Sequence, residues 1–261
     1  MRIPLYQVDA FTSEVFSGNP AAVCLLEDWL GDAKLQAIAA ENNLSETAFL
    51  VENRDGFDLR WFTPTTEVAL CGHATLASAF VVFDRTDFAG EAVRFHTRYS
   101  GVLSVTRRNA LLEMDFPARP PAPLDRPPLL DNSLGITPLE ILGSAEDLLV
   151  VLPEQAAVVE MQPNLTLLAE LNWRGVIVTS PGMDCDFVSR FFAPRVGVPE
   201  DPVTGSAHCV LVPYWAQRLD KQCLHARQVS KRGGELICED RGDRVRIAGK
   251  AVLYLEGRVS I

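Results

Sequence analysis

Two stretches of this chain repeat one another at a fixed distance, and that duplication restricts its architecture more than any other feature. "LRWFTP" (59–64) and "SRFFAP" (189–194) share Arg, an aromatic residue, Phe, a small residue and Pro, with Arg60 and Arg190 separated by 190 − 60 = 130 positions. Downstream, "CGHAT" (71–75) lies over "TGSAH" (204–208), and Gly72 to Gly205 is 205 − 72 = 133. Thr97 and Ser230, Gly101 and Gly234, and Leu103 and Leu236 keep the second offset. Between the copies runs "FPARPPAPLDRPPLL" (116–130), whose prolines lack a backbone donor and resist both helix and central strand. The chain therefore reads as two homologous halves, 1–117 and 118–252, and self-similarity of this kind decides the fold before single elements do.

Each half reads as mixed α and β. Candidate strands such as "TAFLVE", "FDLRWFTP", "GVIVTSP" and "RQVSKRG" carry β-branched and aromatic residues with partial alternation. Helices fit 32–43, with Asp32 as N-cap, then 72–84, 164–173 and 205–219. The helices that begin at Gly72 and Gly205 are apolar for three turns, which predicts burial on every side. The fold class expected is α+β: two similar, pseudo-twofold-related domains, each a mostly antiparallel sheet wrapped around a central apolar helix.

The formal charge of −10 argues against nucleic acid or an anionic membrane as partner, because both would be repelled. No apolar run reaches the ~18 residues that span a bilayer and no secretory leader precedes the first strand, so a cytoplasmic location is expected. Six cysteines without CxxC pairs read mostly as small buried hydrophobes.

Three kinds of chemistry compete for the 71–75 segment. A helix start led by glycine offers unpaired N–H groups and the positive end of the dipole to an anion, and Gly72 and Gly205 would do so at equivalent places. Metal binding is disfavoured by spacing, since Cys71 and His73 are two apart and His208 and Cys209 adjacent, so no metal is expected. Thiol chemistry needs a second cysteine opposite Cys71, and the 133 offset supplies Thr204 instead. Two carboxylates stand out: Glu46 in "NNLSETAFL", following the first helix, and Asp201 in "PEDPVTGSAH", before the second Gly-led helix. Arg232, in "KRGGE", could hold a substrate carboxylate. No dinucleotide or Walker signature is present, and no cofactor is expected.

In their order, "DAFTSEVFSGNPAAV", "NLSETAFL", "RWFTPTTEVALCGHATLA", "EDPVTGSAHC" and "QVSKRGG" resemble the phenazine-biosynthesis PhzF-like isomerase family, whose fold is that of diaminopimelate epimerase. The resemblance runs from about residue 7 to the end. It implies a cofactor-independent isomerase with its site in the cleft between the halves, and a last strand, about 253–261, that crosses back to the first. It makes Glu46 the proton shuttle, His73 and Asp201 substrate-orienting or proton-handling groups, and Gly72, Gly205 and Ser206 donors to the carboxylate of a small substrate. Cys71 becomes a wall of the pocket. Carbon-acid chemistry leads one to expect the Glu46 pKa to be raised by desolvation. The reading allows a homodimer, for which no residue argues. A thiol-dependent epimerase or racemase using Cys71, or a non-enzymatic binding protein on the same fold, stays open as an alternative.

Overall fold

A computed structural model describes residues 1–261. The chain divides into two compact units, Met1–Asp115 with Ala248–Ile261, and Phe116–Ile247. The first unit contains β1 (Arg2–Ala10), β2 (Asn19–Leu26), α1 (Asp32–Asn42), β3 (Glu46–Asn53), β4 (Gly56–Phe62), β5 (Glu67–Val68), α2 (Gly72–Arg85), β6 (Ala92–Thr97), β7 (Val102–Arg108) and most of β8 (Leu111–Pro117). The second contains β9 (Ala122–Pro123), α3 (Leu130–Leu134), β10 (Glu140–Gly143), β11 (Asp147–Val151), α4 (Gln155–Glu160), α5 (Leu165–Glu170), β12 (Gly175–Pro181), β13 (Phe187–Ala193), β14 (Val198–Asp201), α6 (Gly205–Leu219), β15 (Cys223–Gln228), β16 (Gly234–Asp240) and most of β17 (Arg244–Gly249). The last strand, β18 (Ala251–Ser260), returns to the first unit and pairs antiparallel with β1, from Arg2↔Ser260 to Ala10↔Ala251.

The duplication extends to the strand pairings. In the first unit β2 is parallel to β3, β3 antiparallel to β4, β4 antiparallel to β5 and parallel to β6, and β6 antiparallel to β7. The second unit repeats this series with β11, β12, β13, β14, β15 and β16. Each parallel neighbour is reached by a crossover that contains helix, as parallel strands require. Side chains follow suit. Arg60 forks onto Glu67 (2.8 and 2.8 Å) over the ring of Phe62, and Arg190 forks onto Glu200 (2.7 and 3.1 Å) over the ring of Phe192.

The Gly-led helices are the centres of the two units. On α2 every residue from His73 to Ala79 is buried, and on α6 so are Ala207 to Val212 and Tyr214 to Ala216. No helix is long and apolar enough to cross a membrane. Two local expectations are corrected. Asp32 is the first helical residue and caps nothing, because its carboxylate is drawn to Arg60 at 2.9 Å, while Gly31 takes the N-cap position. The strand expected at 227–233 lies earlier, at 223–228, and 229–233 forms the turn that follows. The proline-rich 116–130 stretch is held within the second unit, with Ala118 N–H donating to Asp243 O and Arg119 N–H to Cys209 O, at 2.9 Å each.

At the head of β12, Gly175 leaves no room for a side chain, since a Cβ there would sit 2.2 Å from Phe191 Cζ and 3.2 Å from Asp147 Oδ1. Gly175→Ala is expected to destabilise the protein by about 1–3 kcal/mol, the usual cost of overpacking a close-packed interior, as read by the urea midpoint.

Candidate active site

Strand register and one helix start build the first unit's polar cluster. Ala21↔Glu46 pairing in the parallel β2–β3 ladder sets Glu46 at the head of β3, two positions along from Asn19 at the head of β2. Asn43, left-handed at φ 50°, ends α1 and turns the chain into that strand. Cys71 is the N-cap of α2 with extended backbone (φ −142°, ψ 107°), and His73 is the second helical residue. The ring of His73 is buried and contacted on both nitrogens: Nε2 is 3.0 Å from Glu46 Oε2, and Nδ1 is 3.2 Å from Asn19 Nδ2 and 3.6 Å from Cys71 Sγ. The Glu46–His73 approach is close but bent, so neither atom makes a well-angled hydrogen bond.

Desolvation pushes the Glu46 carboxyl up, but the charge of His73 3.0 Å away, with the polar contacts of His73 and Cys71, outweighs it and leaves the pKa below the ordinary value. This reverses the expected upward shift. Burial likewise pushes His73 down, and Cys71 and Glu46 together raise it well above its ordinary value. Burial, then the charge of Glu46, pushes the Cys71 thiol up to about 11, so at neutral pH it is a thiol and Glu46 is the negative charge. The side chain of Glu46 is 18% exposed and that of His73 7%, which makes the carboxylate the more accessible member of the pair. Asn19, fully buried, sets its side-chain amide 3.2 Å from Nδ1, and with its oxygen on that side it accepts from Nδ1–H, the arrangement that fits a charged ring.

The second unit organises its own helix start. Asp201 closes β14, and Thr204 Oγ1 donates to Asp201 Oδ2 at 2.6 Å. Gln228, buried at the end of β15, donates to Asp201 O (2.8 Å) and accepts from Thr204 N–H (2.8 Å), clamping the 201–204 loop. Ser206 follows Gly205 in the first turn of α6 and accepts from Arg174 at 3.2 Å; Arg174 in turn forks onto the buried Asp147 (2.9 and 2.5 Å). Arg232 lies in the β15–β16 turn, which Ser230 ties to Pro202 O at 2.7 Å. Gln228→Ala would leave Thr204 N–H without its partner, and we expect a loss of about 1–3 kcal/mol by urea denaturation, the cost of stranding a buried donor.

Aligning β4 with β13 at the 130 offset places Gly175 where the first unit has Glu46, because Thr47↔Phe62 corresponds to Val176↔Phe192. The carboxylate has moved to the neighbouring strand, where Asp147 pairs with Gly175. The carboxylate–imidazole pair is thus peculiar to the first unit. Sequence reasoning assigned Glu46, Cys71, Gly72, His73, Asp201, Gly205, Ser206 and Arg232 to one cleft; the structure brings Glu46, Cys71, Gly72 and His73 together in the first unit, and Asp201, Gly205 and Ser206 lie around the start of α6 in the second. That reasoning missed Asn19, Gln228, Asp147 and Arg174. Asn19 stands in the quoted "SGNPAAV", the one signal that could have found it.

These two clusters have relatives. A profile described as "Phenazine biosynthesis-like protein" matches residues 8–257. The chain belongs to that family. It is 54% identical over 261 residues to an uncharacterized isomerase of Pseudomonas aeruginosa, with all of both chains covered. The crystal structure of a PhzF-family phenazine biosynthesis protein from Enterococcus faecalis matches with a TM-score of 0.98 at 46% identity, again over the whole of both chains. A predicted epimerase of Pseudomonas aeruginosa, 19% identical over 99% of each chain, shares the fold with a TM-score of 0.74.

Proposed function

We propose that this PhzF-like isomerase moves a proton between two carbons of a small carboxylate-bearing metabolite without a cofactor, with Glu46 as acid and base. The observation that carries the reading is a carboxylate kept ionised beside a buried imidazole at 3.0 Å. Glu46 takes the proton from the substrate carbon, and the electron pair left behind spreads into the adjoining unsaturated or carboxylate group. As Glu46 becomes neutral, the His73 charge loses its partner and turns its full effect on the developing anion, aided by the unpaired N–H groups of the first turn of α2. Glu46 then returns the proton to a second carbon. Asp201, held by Thr204, orients the substrate, and Gly205 and Ser206 offer donors to its carboxylate, with Arg232 a further group for it. Cys71 serves as a wall: its thiol is high and Thr204 stands at the equivalent place in the second unit.

The reading is tested by incubating the protein with candidate unsaturated and 2-substituted carboxylates in heavy water and following carbon-bound deuterium by NMR. Enzyme-dependent incorporation at two carbons of one compound is expected. Turnover of a substrate with no exchangeable carbon-bound hydrogen would sink the proposal.

A further inference from the structure

The first unit ends in a long sheet edge, whereas the second unit blunts its own. β18 runs for ten residues without a proline, pairs with β1 on one side, and has no other strand packed along it. In the second unit β10 takes the place of β1, and its outer neighbour β9 is two residues long and set among Pro120, Pro121 and Pro123. Proteins shorten edge strands or give them prolines because unpaired N–H and C=O groups recruit another strand. An edge kept long and free of proline fits one that is paired.

The ladder with β1 decides which groups face outward. Met1 and Ile261 exchange both backbone bonds, so residues 259, 257 and 255, up to the register shift at Gln7/Val8, also bond inward. The N–H and C=O groups of Glu256, Arg258 and Ser260 therefore point away from β1. Pro4 agrees, since it pairs with Arg258 and has no N–H to give. A second β18 running antiparallel can bond only through these outward residues. Placing Glu256 opposite Glu256, or Arg258 opposite Arg258, faces like charges; placing Glu256 opposite Arg258 makes two opposite-charge pairs about a twofold axis at Gly257. Glu256 touches Arg85 at 3.5 Å within the chain, but that pair is exposed and holds the carboxylate weakly. In the same register Leu255 meets Val259. Leu255 is 41% exposed and Tyr254 46%, and the exposed Phe16 packs edge-on against Tyr254 with ring centroids 5.6 Å apart, so the edge also carries apolar surface.

We propose that β18 is the surface on which two copies of this chain pair, antiparallel about a twofold axis at Gly257, so that the sheet of the first unit runs on from one protomer into its partner. The proposal is independent of the reaction assigned to Glu46.

Sedimentation of the full-length chain should show a dimer at micromolar concentration. Arg258→Glu sets Glu opposite Glu twice and should raise the dimer dissociation constant at least about 10-fold. Combining it with Glu256→Arg restores opposite charges and should return the dimer. Gly257→Cys tests the axis: a Cβ there meets only Leu255 Cδ2 at 3.7 Å, so the position has room. Residues facing one another in a non-hydrogen-bonded antiparallel pair have Cα atoms about 4.5 Å apart, within disulfide reach. In a Cys223→Ser background, which removes the exposed thiol, oxidised glutathione should link two Gly257→Cys chains, the thiols reducing it to two molecules of glutathione. Leu255→Cys chains, whose copies of that residue lie about 13 Å apart, should stay unlinked. A monomer throughout, or a dimer that keeps its affinity in Arg258→Glu and gives no link at position 257, overturns the proposal. Melting curves verify that the variants fold, and if Arg258→Glu does not, the link at position 257 decides.

Discussion

Glu46→Gln is expected to slow deuterium incorporation by about 10²–10⁴-fold, the range contributed by a positioned acid/base group, while the fold is retained. The amide keeps the size of the side chain and can still accept from His73 Nε2, so packing at the head of β3 is preserved. It can neither take a proton from carbon nor hold His73 charged, so both halves of the proposed chemistry go together. Glu46→Asp separates position from charge. It keeps the carboxylate but draws it back by about one bond, and a misplacement near 1 Å can cost about 10²-fold. Turnover by Glu46→Gln at the wild-type rate would remove Glu46 from the mechanism, and equal rates for Glu46→Asp and wild type would remove the positional argument.

What could be read from the sequence was the duplication, because it is carried by local strings such as "RWFTP" and "CGHAT" whose offset needs no structure. It fixed the apolar central helices and put Gly72 and Gly205 at equivalent starts. Pair partners were out of reach where they depend on register between distant strands. Asn19 meets His73 across 54 residues because β2 and β3 run parallel with Ala21 beside Glu46. Arg174 and Asp147 likewise meet because β11 and β12 pair at Asp147↔Gly175. One error has another cause, that backbone conformation at an element's edge is set by competing contacts: Asp32 abandons the cap for Arg60. The sign of the Glu46 shift was misjudged because desolvation is visible in an apolar sequence, whereas a counter-charge 3.0 Å away is visible only in the fold.

Acid should weaken this protein through His208, which the same duplication explains. At the 133 offset its counterpart is Thr75, whose hydroxyl donates to the N-cap carbonyl of Cys71 at 2.6 Å; His208 Nδ1 contacts the N-cap carbonyl of Thr204 at 2.8 Å. An acceptor there requires the proton on Nδ1, so His208 closes the first turn of α6 as Thr75 closes that of α2. Nε2 makes no hydrogen bond, and the ring packs beside Phe187, which stacks on Trp215. Burial without a counter-charge therefore pushes the pKa from 6.5 down to about 4. As pH falls below 6.5 the unfolded chain gains a proton that the folded chain refuses, so stability falls until the native ring also titrates near 4. A gap of about 2.5 pH units at about 1.4 kcal/mol each amounts to about 3.5 kcal/mol, lost mainly over that interval. His208→Thr copies the α2 solution and removes the titrating group, so although it leaves a cavity, its urea midpoint should fall less steeply with acid than that of wild type. Identical slopes for the two proteins between pH 6.5 and 4 would show that His208 is not the group responsible.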